Sequence, residues 1–457
     1  MNKISTKNLT YAFVITIIII MMTYVLISGI DKKNGLDKEI IITFYGIGII
    51  SVINILRDSK PFSLNKVFWY FNFFFLFLAP LIQYMGGYYP WDYYIDDGIF
   101  KQCNFLIILW MLLYMFINIK IDSKKQVLKE EKILKTSNNE IGKSILYSLG
   151  AFLILTLLVG VKNLFFRGTN TIDIGSDLTN SIVQKFLRSI PVFSLSIYII
   201  LTQKKESKKS KFIFLLLTAL VIILNFPTSM SRYWIGTIYL GIAVVLFKEH
   251  IKNRTFDIAI IVGLAVIFPA FTLFKRYDIF TVFKDKMLLG MGNVYYNVDF
   301  DAYSMFARII MYTKEYGFEM GKQLSCSLFF FIPRAIWISK PYPTGVMVAT
   351  RQGANFTNLS SPLISEAYID FGVLGVIAFS IAISYIISKL DNKYWKKEHD
   401  KNSISIIEIT YPFMIGFLVF LQRGSLQPVV THAFSFYLYI ILKYIISKFT
   451  ITKKGKN

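Results

Sequence analysis

Long apolar runs recur along this chain and constrain its fold more than any other feature. Most of these runs are about 18 to 22 residues long, the length that an α-helix needs to cross a hydrocarbon core of about 30 Å. Hydrophobic residues make up 54% of the 457 residues, and charged residues only 17%. A soluble domain would show shorter, periodic apolar stretches. The pattern therefore predicts an all-α polytopic membrane protein.

We expect about twelve transmembrane helices. The predicted spans are 9–30, 39–56, 67–85, 99–121, 144–161, 182–201, 212–226, 233–247, 256–274, 372–390, 404–421 and 429–447. The first run is too long for a signal-peptide core and lacks a small-residue cleavage site before Asp31, so we interpret it as a span.

One connection is far longer than the others and divides the chain into three parts. Residues 1–274 hold the first nine predicted spans, residues 275–371 form the long connection, and residues 372–457 hold the last three spans. Most of the non-membrane sequence lies in this connection. Chemistry is therefore expected there.

The distribution of Lys and Arg predicts the orientation. The formal net charge is +22, and most cations lie in loops on alternate sides of the spans rather than on one face, which argues against nucleic-acid binding. By the positive-inside rule, both termini are cytoplasmic and the long loop is extracytoplasmic. The richness in Ile, Lys and Asn is typical of an AT-rich bacterial genome. With both termini in the cytoplasm, we expect the bacterial cytoplasmic (inner) membrane.

Cofactor motifs are absent from the sequence. It contains no glycine-rich phosphate loop, no Ser/His/Asp set and no His/Cys spacing typical of a metal site, so we expect no cofactor and no metal. The two cysteines, Cys103 and Cys326, cannot build a disulfide framework and are expected to be isolated apolar thiols.

Cations near the outer ends of the predicted spans are the first candidate site residues. Arg232 and Arg423 each lie in a tight outer turn, where a cation near hydrocarbon is costly unless it is paired or functional. The other candidates follow in the long loop: Arg334, Lys340 and Arg351. An arginine fork holds phosphate oxygens through two hydrogen bonds, so the cluster fits a diphosphate; snorkelling to lipid phosphates is the alternative.

Carboxylates and one histidine are candidate general bases. Ser361-Pro362 is typical of a helix start, and the short helix that follows places Glu366 and Asp370 on one face. His432 is the only histidine on the predicted outer side and can accept a proton. Asp299-Phe-Asp301 spells an Asp-x-Asp pattern, but we interpret Asp301 as a helix cap.

Two further segments have open interpretations. Gly86–Gly98 combines aromatic residues with carboxylates, which suits sugar rings, but Tyr and Trp also gather at membrane interfaces as anchors. Leu324–Ile332 is apolar and too short to span, so it either packs against the spans or re-enters the membrane.

The strings Phe331-Ile-Pro-Arg-Ala-Ile-Trp-Ile-Ser-Lys-Pro341 and Asn355-Phe-Thr-Asn-Leu-Ser-Ser-Pro-Leu-Ile-Ser-Glu-Ala-Tyr-Ile-Asp-Phe-Gly-Val-Leu-Gly375 resemble Wzy-type polymerases of O-antigens and capsular polysaccharides. The turns at Arg232 and Arg423 resemble that family's other outer motifs. The resemblance implies an inverting, metal-independent glycosyltransferase of the broad GT-C type.

The resemblance also implies the substrates and partners. The enzyme would act on oligosaccharide repeat units carried by undecaprenyl diphosphate, in contact with membrane lipids and alongside a flippase and a chain-length regulator. Arg232 and Arg423 would bind diphosphate, and Arg334, Lys340 and Arg351 would bind diphosphate or an anionic sugar. Glu366 or His432 would be the catalytic base.

Two alternative functions remain. An O-antigen ligase would use the same donor with a different acceptor. A lipid-linked oligosaccharide flippase or another transporter would not be an enzyme, and it would usually show repeated halves and charges along a central path. We see no clear internal repeat, and a long outer loop has no role in simple alternating access.

The predicted orientation determines which thiols react from outside an intact cell. We expect an impermeant maleimide to label Cys326 and not to label a cysteine that replaces Glu206, because the rule places these positions on opposite sides. Exclusive labelling at position 206 would overturn the orientation.

Overall fold

The structure, a computed structural model, describes residues 35–123, 132–135, 138–166, 177–205, 210–264, 295–395 and 403–454. The chain divides into two compact units. The first draws on Met1–Lys124, Ile251–Lys389 and Leu421–Gln427, and the second on Lys125–His250, Leu390–Phe420 and Pro428–Asn457. The division of the chain at residues 274 and 371 concerns membrane topology and stays a prediction.

The described part of the first unit is helical. Its α-helices are α1 (Lys38–Arg57), α2 (Leu64–Phe71), α3 (Ala79–Gly86), α4 (Asp97–Asp122), α10 (Asn253–Val262), α11 (Ala302–Tyr316), α12 (Lys322–Leu328), α13 (Thr344–Arg351) and most of α14 (Leu363–Trp395). Short 3-10 turns cover Pro90–Asp92 and Val298–Phe300.

The second unit adds the remaining helices and one pair of strands. Its helices are α5 (Asn138–Val159), α6 (Val161–Phe165), α7 (Asp177–Lys205), α8 (Lys211–Leu224), α9 (Arg232–Phe247), most of α15 (Ile406–Arg423) and most of α16 (Leu426–Lys454). Strand β1 (Lys132–Lys135) pairs antiparallel with β2 (Ser403–Ser405). This small pair is the one departure from an all-α fold among the described residues.

Eight helices in the described residues are long and apolar enough to cross a membrane. They coincide with eight of the predicted spans and make the chain a polytopic helical membrane protein by length and composition. Two more predicted spans correspond to the shorter apolar helices Lys211–Leu224 and Arg232–Phe247. The predicted span 9–30 and most of 256–274 lie outside the described residues.

The segment Leu64–Gly86 is one continuous span with a widened turn in its middle. Ser63 caps it by accepting a hydrogen bond from the backbone N–H of Lys66. Asn72–Leu78 is π-helical, and Pro80 follows at the start of α3. Because proline has no N–H and its ring crowds the preceding turn, the wider turn accommodates it without ending the helix. Gly87, with φ 71°, ends the span in the left-handed conformation.

Helix α14 contains a sharp break at Gly372. Its φ of 57° and ψ of −139° interrupt helical geometry, and a Cβ there would approach the Phe318 ring within 3.0 Å. A short helix from Leu363 to Phe371 therefore precedes the longer apolar part, as the Ser361-Pro362 signal predicted. Glu366 lies in this short segment.

The core of the second unit forms around aromatic side chains. Phe193 contacts the rings of Phe413 and Phe436, with centroids 5.2 and 4.8 Å apart. A Cβ on Gly241 would lie only 2.2 Å from the Phe413 ring, so α9 and α15 pack closely because glycine leaves room there. Such small-residue contacts are typical of helices packed in membranes.

Both cysteines are free and buried, as the sequence predicted. The Cys326 thiol has no exposed surface and donates to the Pro341 carbonyl oxygen at 3.3 Å. Burial raises the pKa of this thiol, which lowers the thiolate fraction that reacts with maleimide. The expectation that Cys326 reports topology is therefore wrong. The exposed residue Asn358 is a better position for a cysteine probe.

Candidate functional site

The carboxylate of Glu366 is buried in the first unit and joins three segments. Its side chain is 2% exposed. One oxygen accepts the hydroxyl of Thr344 at 2.7 Å, and the other accepts the backbone N–H of Leu426 at 3.2 Å. Nearby, the Gly345 N–H donates to the Ser425 hydroxyl at 3.2 Å. The start of α13 and the turn after Arg423 are thus both attached to the short helix that carries Glu366.

A second buried carboxylate, that of Asp301, binds Arg423 in the same turn. Arg423 donates to one Asp301 oxygen at 2.8 Å and to the Val298 carbonyl at 2.9 Å. The Ser360 hydroxyl donates to that carboxylate oxygen at 2.8 Å, and the Trp91 indole N–H donates to the other at 2.9 Å. Asp301 is 1% exposed, so the Arg423 charge compensates it inside the protein.

Asp301 stands at the N-cap position of α11, but its side chain makes no capping bond. The expectation that it caps the helix is therefore wrong for the side chain, which turns to Arg423 instead. Trp91, one of its partners, has a φ of 68°. Such a conformation costs a non-glycine residue on the order of 1–3 kcal/mol, and it persists where the surroundings fix it. Stacking on Phe356, with ring centroids 5.4 Å apart, adds to that fixation.

Asp370 serves as a helix cap. Its two oxygens accept the backbone N–H groups of Gln323 at 3.1 Å and Leu324 at 2.7 Å, at the start of α12. A carboxylate at this position satisfies orphan donors and favours the helix dipole. The sequence placed Glu366 and Asp370 on one face of a helix. Their carboxylates nevertheless bind different segments, since Glu366 contacts α13 and the Arg423 turn whereas Asp370 caps α12.

An open cavity of about 690 Å³ lies along α13. It is lined by Glu319, Lys322, Trp337, Ser339, Pro341, Tyr342, Val346, Met347, Thr350 and Arg351. Aromatic faces, hydroxyls and cations together suit a sugar with a polar or anionic substituent. Helix α13 links this cleft to Glu366, because Thr344 stands at one end of the helix and Arg351 at the other.

Arg351 is held at the rim of this cleft. Its guanidinium donates to Glu319 at 3.0 Å and to the Tyr312 hydroxyl, and half of its side chain remains exposed. Tyr312 in turn donates to Glu319 at 2.7 Å. Burial, together with the nearby Glu319 carboxylate, raises the pKa of the Tyr312 phenol, so the phenol keeps its proton. Lys322 lies 3.8 Å from Glu319. With two cations around one carboxylate, the rim has a surplus positive charge.

Arg334 and Lys340 are engaged with their own loop. Arg334 donates to the carbonyls of Lys340 and Pro341, the latter at 2.8 Å, and lies over the Tyr342 ring. The Lys340 ammonium is buried and donates to the carbonyls of Phe330 and Ile332 at 2.7 and 2.8 Å. Burial lowers the pKa of this ammonium. Lys340 is thus directed to the loop backbone, whereas Arg334 retains exposed surface.

The second unit holds the remaining two candidates. Arg232 begins α9, and Trp234 follows it by half a turn. The His432 ring lies edge-on to Trp234 and Phe420, with centroids 6.5 and 5.4 Å away. Its Nδ1 lies 2.7 Å from the Pro428 carbonyl oxygen. Because a carbonyl only accepts, Nδ1 carries the proton and Nε2 is the acceptor atom.

The structure therefore places the sequence candidates in four regions, one of which is the loop that holds Arg334 and Lys340. Glu366 and Arg423 lie at the joined turns, Arg351 lies at the cleft rim, and Arg232 and His432 lie in the second unit. Sequence reasoning missed the partners that hold them, namely Thr344, Ser360 and Glu319. For Trp91 the sequence did give an indication, because it lies in the aromatic segment Gly86–Gly98. Across the described residues, no group of three or more His, Cys, Asp or Glu side chains has the geometry of a metal site.

Comparison with known families gives a match in the C-terminal part of the chain. Residues 357–456 match the family model described as O-antigen polysaccharide polymerase Wzy. This match confirms the resemblance to Wzy-type polymerases for the C-terminal segment, which includes Glu366, Arg423 and His432. No curated protein and no solved structure matches the chain significantly.

The buried pair of Asp301 and Arg423 gives a stability prediction. Arg423→Ala leaves a buried carboxylate uncompensated, so we expect the free energy of unfolding to fall by about 3–5 kcal/mol. Adding Asp301→Asn removes the stranded charge and should restore part of that loss. Thermal unfolding of the purified protein in detergent measures both changes.

Lys322→Ala is the control for this experiment, because the Lys322 side chain is 68% exposed and Glu319 keeps Arg351 as a second partner. Such a pair contributes at most about 1 kcal/mol. Equal losses in Arg423→Ala and Lys322→Ala, or no recovery in the double variant, would contradict the structural importance of the buried pair.

Proposed function

We propose that this chain polymerises oligosaccharide repeat units carried on undecaprenyl diphosphate at the outer face of the bacterial cytoplasmic membrane. One observation carries the proposal: the segment with the O-antigen polymerase signature includes both the short helix of Glu366 and the Arg423 turn, which are joined by the bond from Leu426. The eight apolar helices supply the membrane setting that a lipid-linked substrate requires.

The proposed reaction transfers the growing glycan to a new unit. A hydroxyl of the new repeat unit attacks the anomeric carbon of the growing chain, and the bond from that carbon to the diphosphate oxygen breaks. The hydroxyl proton passes to a base, and undecaprenyl diphosphate leaves. The donor is already activated, so the reaction needs neither a nucleotide nor a metal. A single displacement at the anomeric carbon inverts its configuration, in keeping with a GT-C-type enzyme.

Arg232 is our candidate for contact with the leaving diphosphate. It stands in the first turn of α9, where backbone N–H groups and the helix dipole favour an anion. A preorganised donor of this kind typically lowers the barrier by about 3–4 kcal/mol. Arg423 acts through its bond to Asp301, so we assign it a positioning role for the turn that reaches Glu366.

His432 is our candidate for the base. The Pro428 carbonyl fixes its tautomer and leaves Nε2 able to accept a proton. Glu366 has both oxygens engaged with neutral donors and is almost fully buried. It is therefore better suited to holding α13 and the Arg423 turn in place. A proton acceptor in the reaction contributes about 10²–10⁴ in rate.

The cleft along α13 is our candidate for the acceptor sugar. Trp337 and Tyr342 offer aromatic faces, and Arg351 offers a cation that retains exposed surface. Substrate delivery by a flippase and length control by a regulator belong to the same proposal. Cytoplasmic termini and an outward position for residues 275–371 follow from the charge distribution.

Two variants separate the roles of His432 and Glu366. We expect His432→Gln to lower polymerisation by about 10²–10⁴, leaving single repeat units on the lipid carrier. Glu366→Gln should keep most activity, because an amide can accept from Leu426 and donate to Thr344. Electrophoresis of the glycan, with extraction of lipid-linked intermediates, measures the outcome.

Glu315→Gln is the matched control, since Glu315 is exposed on α11. Loss of activity in a folded Glu366→Gln variant, with activity retained in His432→Gln, would reverse the two roles. Long polymer in both His432→Gln and Arg232→Ala would contradict the proposed chemistry. Single units transferred to another acceptor in the unaltered protein would indicate a ligase.

The cleft gives a separate prediction for substrate affinity. Trp337→Ala removes an aromatic face from the cleft, so we expect KM for the lipid-linked acceptor to rise several-fold while kcat stays close to its original value. Trp337→Phe keeps a ring face and should change KM much less. A change in kcat with unchanged KM would contradict sugar binding in this cleft.

A further inference from the structure

The loop from Leu328 to Tyr342, which we call the apolar loop, exposes large hydrophobic side chains. Ile336 is 78% exposed and Ile338 is 87% exposed. Leu328, Phe329 and Phe331 are also exposed. Contiguous exposure of this kind is unusual on a surface that faces water and indicates contact with an apolar phase.

The backbone of the apolar loop is suited to that phase. Irregular backbone is costly in hydrocarbon because its carbonyls and N–H groups lack water partners. Here the two cations of the loop supply donors: Lys340 bonds the carbonyls of Phe330 and Ile332, and Arg334 bonds those of Lys340 and Pro341. The cations thus replace water for four carbonyls.

Turn hydrogen bonds satisfy further groups of the same loop. The N–H groups of Ile336 and Trp337 both donate to the Pro333 carbonyl at 3.0 Å. The Lys340 N–H donates to the Trp337 carbonyl at 3.0 Å, and the Ile332 N–H donates to the Phe329 carbonyl at 3.1 Å. Prolines at 333 and 341 have no N–H to satisfy. These bonds pair part of the polar backbone of the loop while the side chains around it remain apolar.

The charged residues of the apolar loop favour contact with a lipid bilayer that carries anionic phosphate headgroups. Residues 328–342 contain no Asp or Glu, and Arg334 and Lys340 are the only charged side chains. Arg334 retains exposed surface and lies over Tyr342, and Trp337 follows Arg334 by three residues in the same turn region. Apolar side chains beside Trp, Tyr and a cation are the composition of a segment at the boundary between hydrocarbon and phosphate headgroups.

We propose that the apolar loop dips into the lipid bilayer, with Ile336 and Ile338 in the hydrocarbon and Arg334 at the level of the anionic phosphate headgroups. Lys340 is then an internal clamp for the loop backbone rather than a substrate ligand. Insertion of the loop does not depend on the proposed glycosyl transfer. The loop lies outside the spans that hydropathy indicates.

Fluorescence quenching in vesicles tests the insertion. The full-length protein carries a polarity-sensitive fluorophore on Ile338→Cys and is reconstituted in vesicles of phosphatidylcholine and phosphatidylglycerol. Leu374→Cys, on the exposed face of a candidate span, is the hydrocarbon control, and Asn358→Cys is the aqueous control. Both native cysteines are buried, and the protein without an added cysteine gives the background.

We expect the Ile338 probe to behave like the Leu374 probe. Quenching by aqueous acrylamide should be several-fold weaker than at Asn358, and quenching by lipids brominated on the acyl chain should be several-fold stronger. A probe that acrylamide quenches as strongly as at Asn358 overturns the proposal. Protection from both quenchers also overturns it, because the loop is then covered by protein, such as a second copy of this chain.

Lys340→Met tests the clamp. The substitution removes the ammonium that bonds the carbonyls of Phe330 and Ile332, so we expect the Ile338 probe to become several-fold more accessible to acrylamide. The Asn358 probe should be unchanged. Unchanged acrylamide quenching of the Ile338 probe in a folded Lys340→Met variant would overturn the role of Lys340 as a clamp. If this variant does not fold, the quenching comparison in the protein with native Lys340 still tests insertion.

Discussion

The buried ion pair of Asp301 and Arg423 is the interaction on which the described site depends. It joins residues 122 positions apart in sequence and fixes the turn that follows α15. Only with that turn in place does the Leu426 N–H reach Glu366 and the Ser425 hydroxyl reach Gly345. A charge pair this well buried contributes little net stability over an apolar contact, but it tolerates few alternative arrangements. Its value here is in specifying one geometry for the surrounding turns.

Several cationic side chains of this protein donate hydrogen bonds to backbone carbonyls. Arg334 and Lys340 bond carbonyls of their own loop, and in the second unit Arg188 bonds the Leu224 carbonyl in the same way. Low dielectric makes an unpaired carbonyl costly, so a long cationic side chain can stabilise irregular backbone where water is scarce. A cation near a span end is therefore not by itself a sign of an anionic substrate.

The fold was largely predictable from the sequence because membrane spans are determined by local apolar length. Eight predicted spans coincide with helices, and the short helix after Ser361-Pro362 begins where its proline indicated. The partners of the polar residues were less predictable. Sequence alone favoured a cap for Asp301, yet its carboxylate bonds residues far away along the chain. Long-range pairing follows from how helices pack, and spacing in a single sequence does not contain that information.

Helix α13 ties the proposed sugar cleft to the interior of the first unit. Its eight residues span about 12 Å, with Thr344 bound to Glu366 at one end and Arg351 bound to Glu319 at the other. A rigid helix of this length transmits displacement from end to end. During evolution, substitutions that adapt the cleft to a different glycan would therefore also move Thr344, the hydrogen-bond partner of Glu366. Compensating substitutions are expected to arise together at the two ends of α13, so the residues of the two regions would covary among relatives.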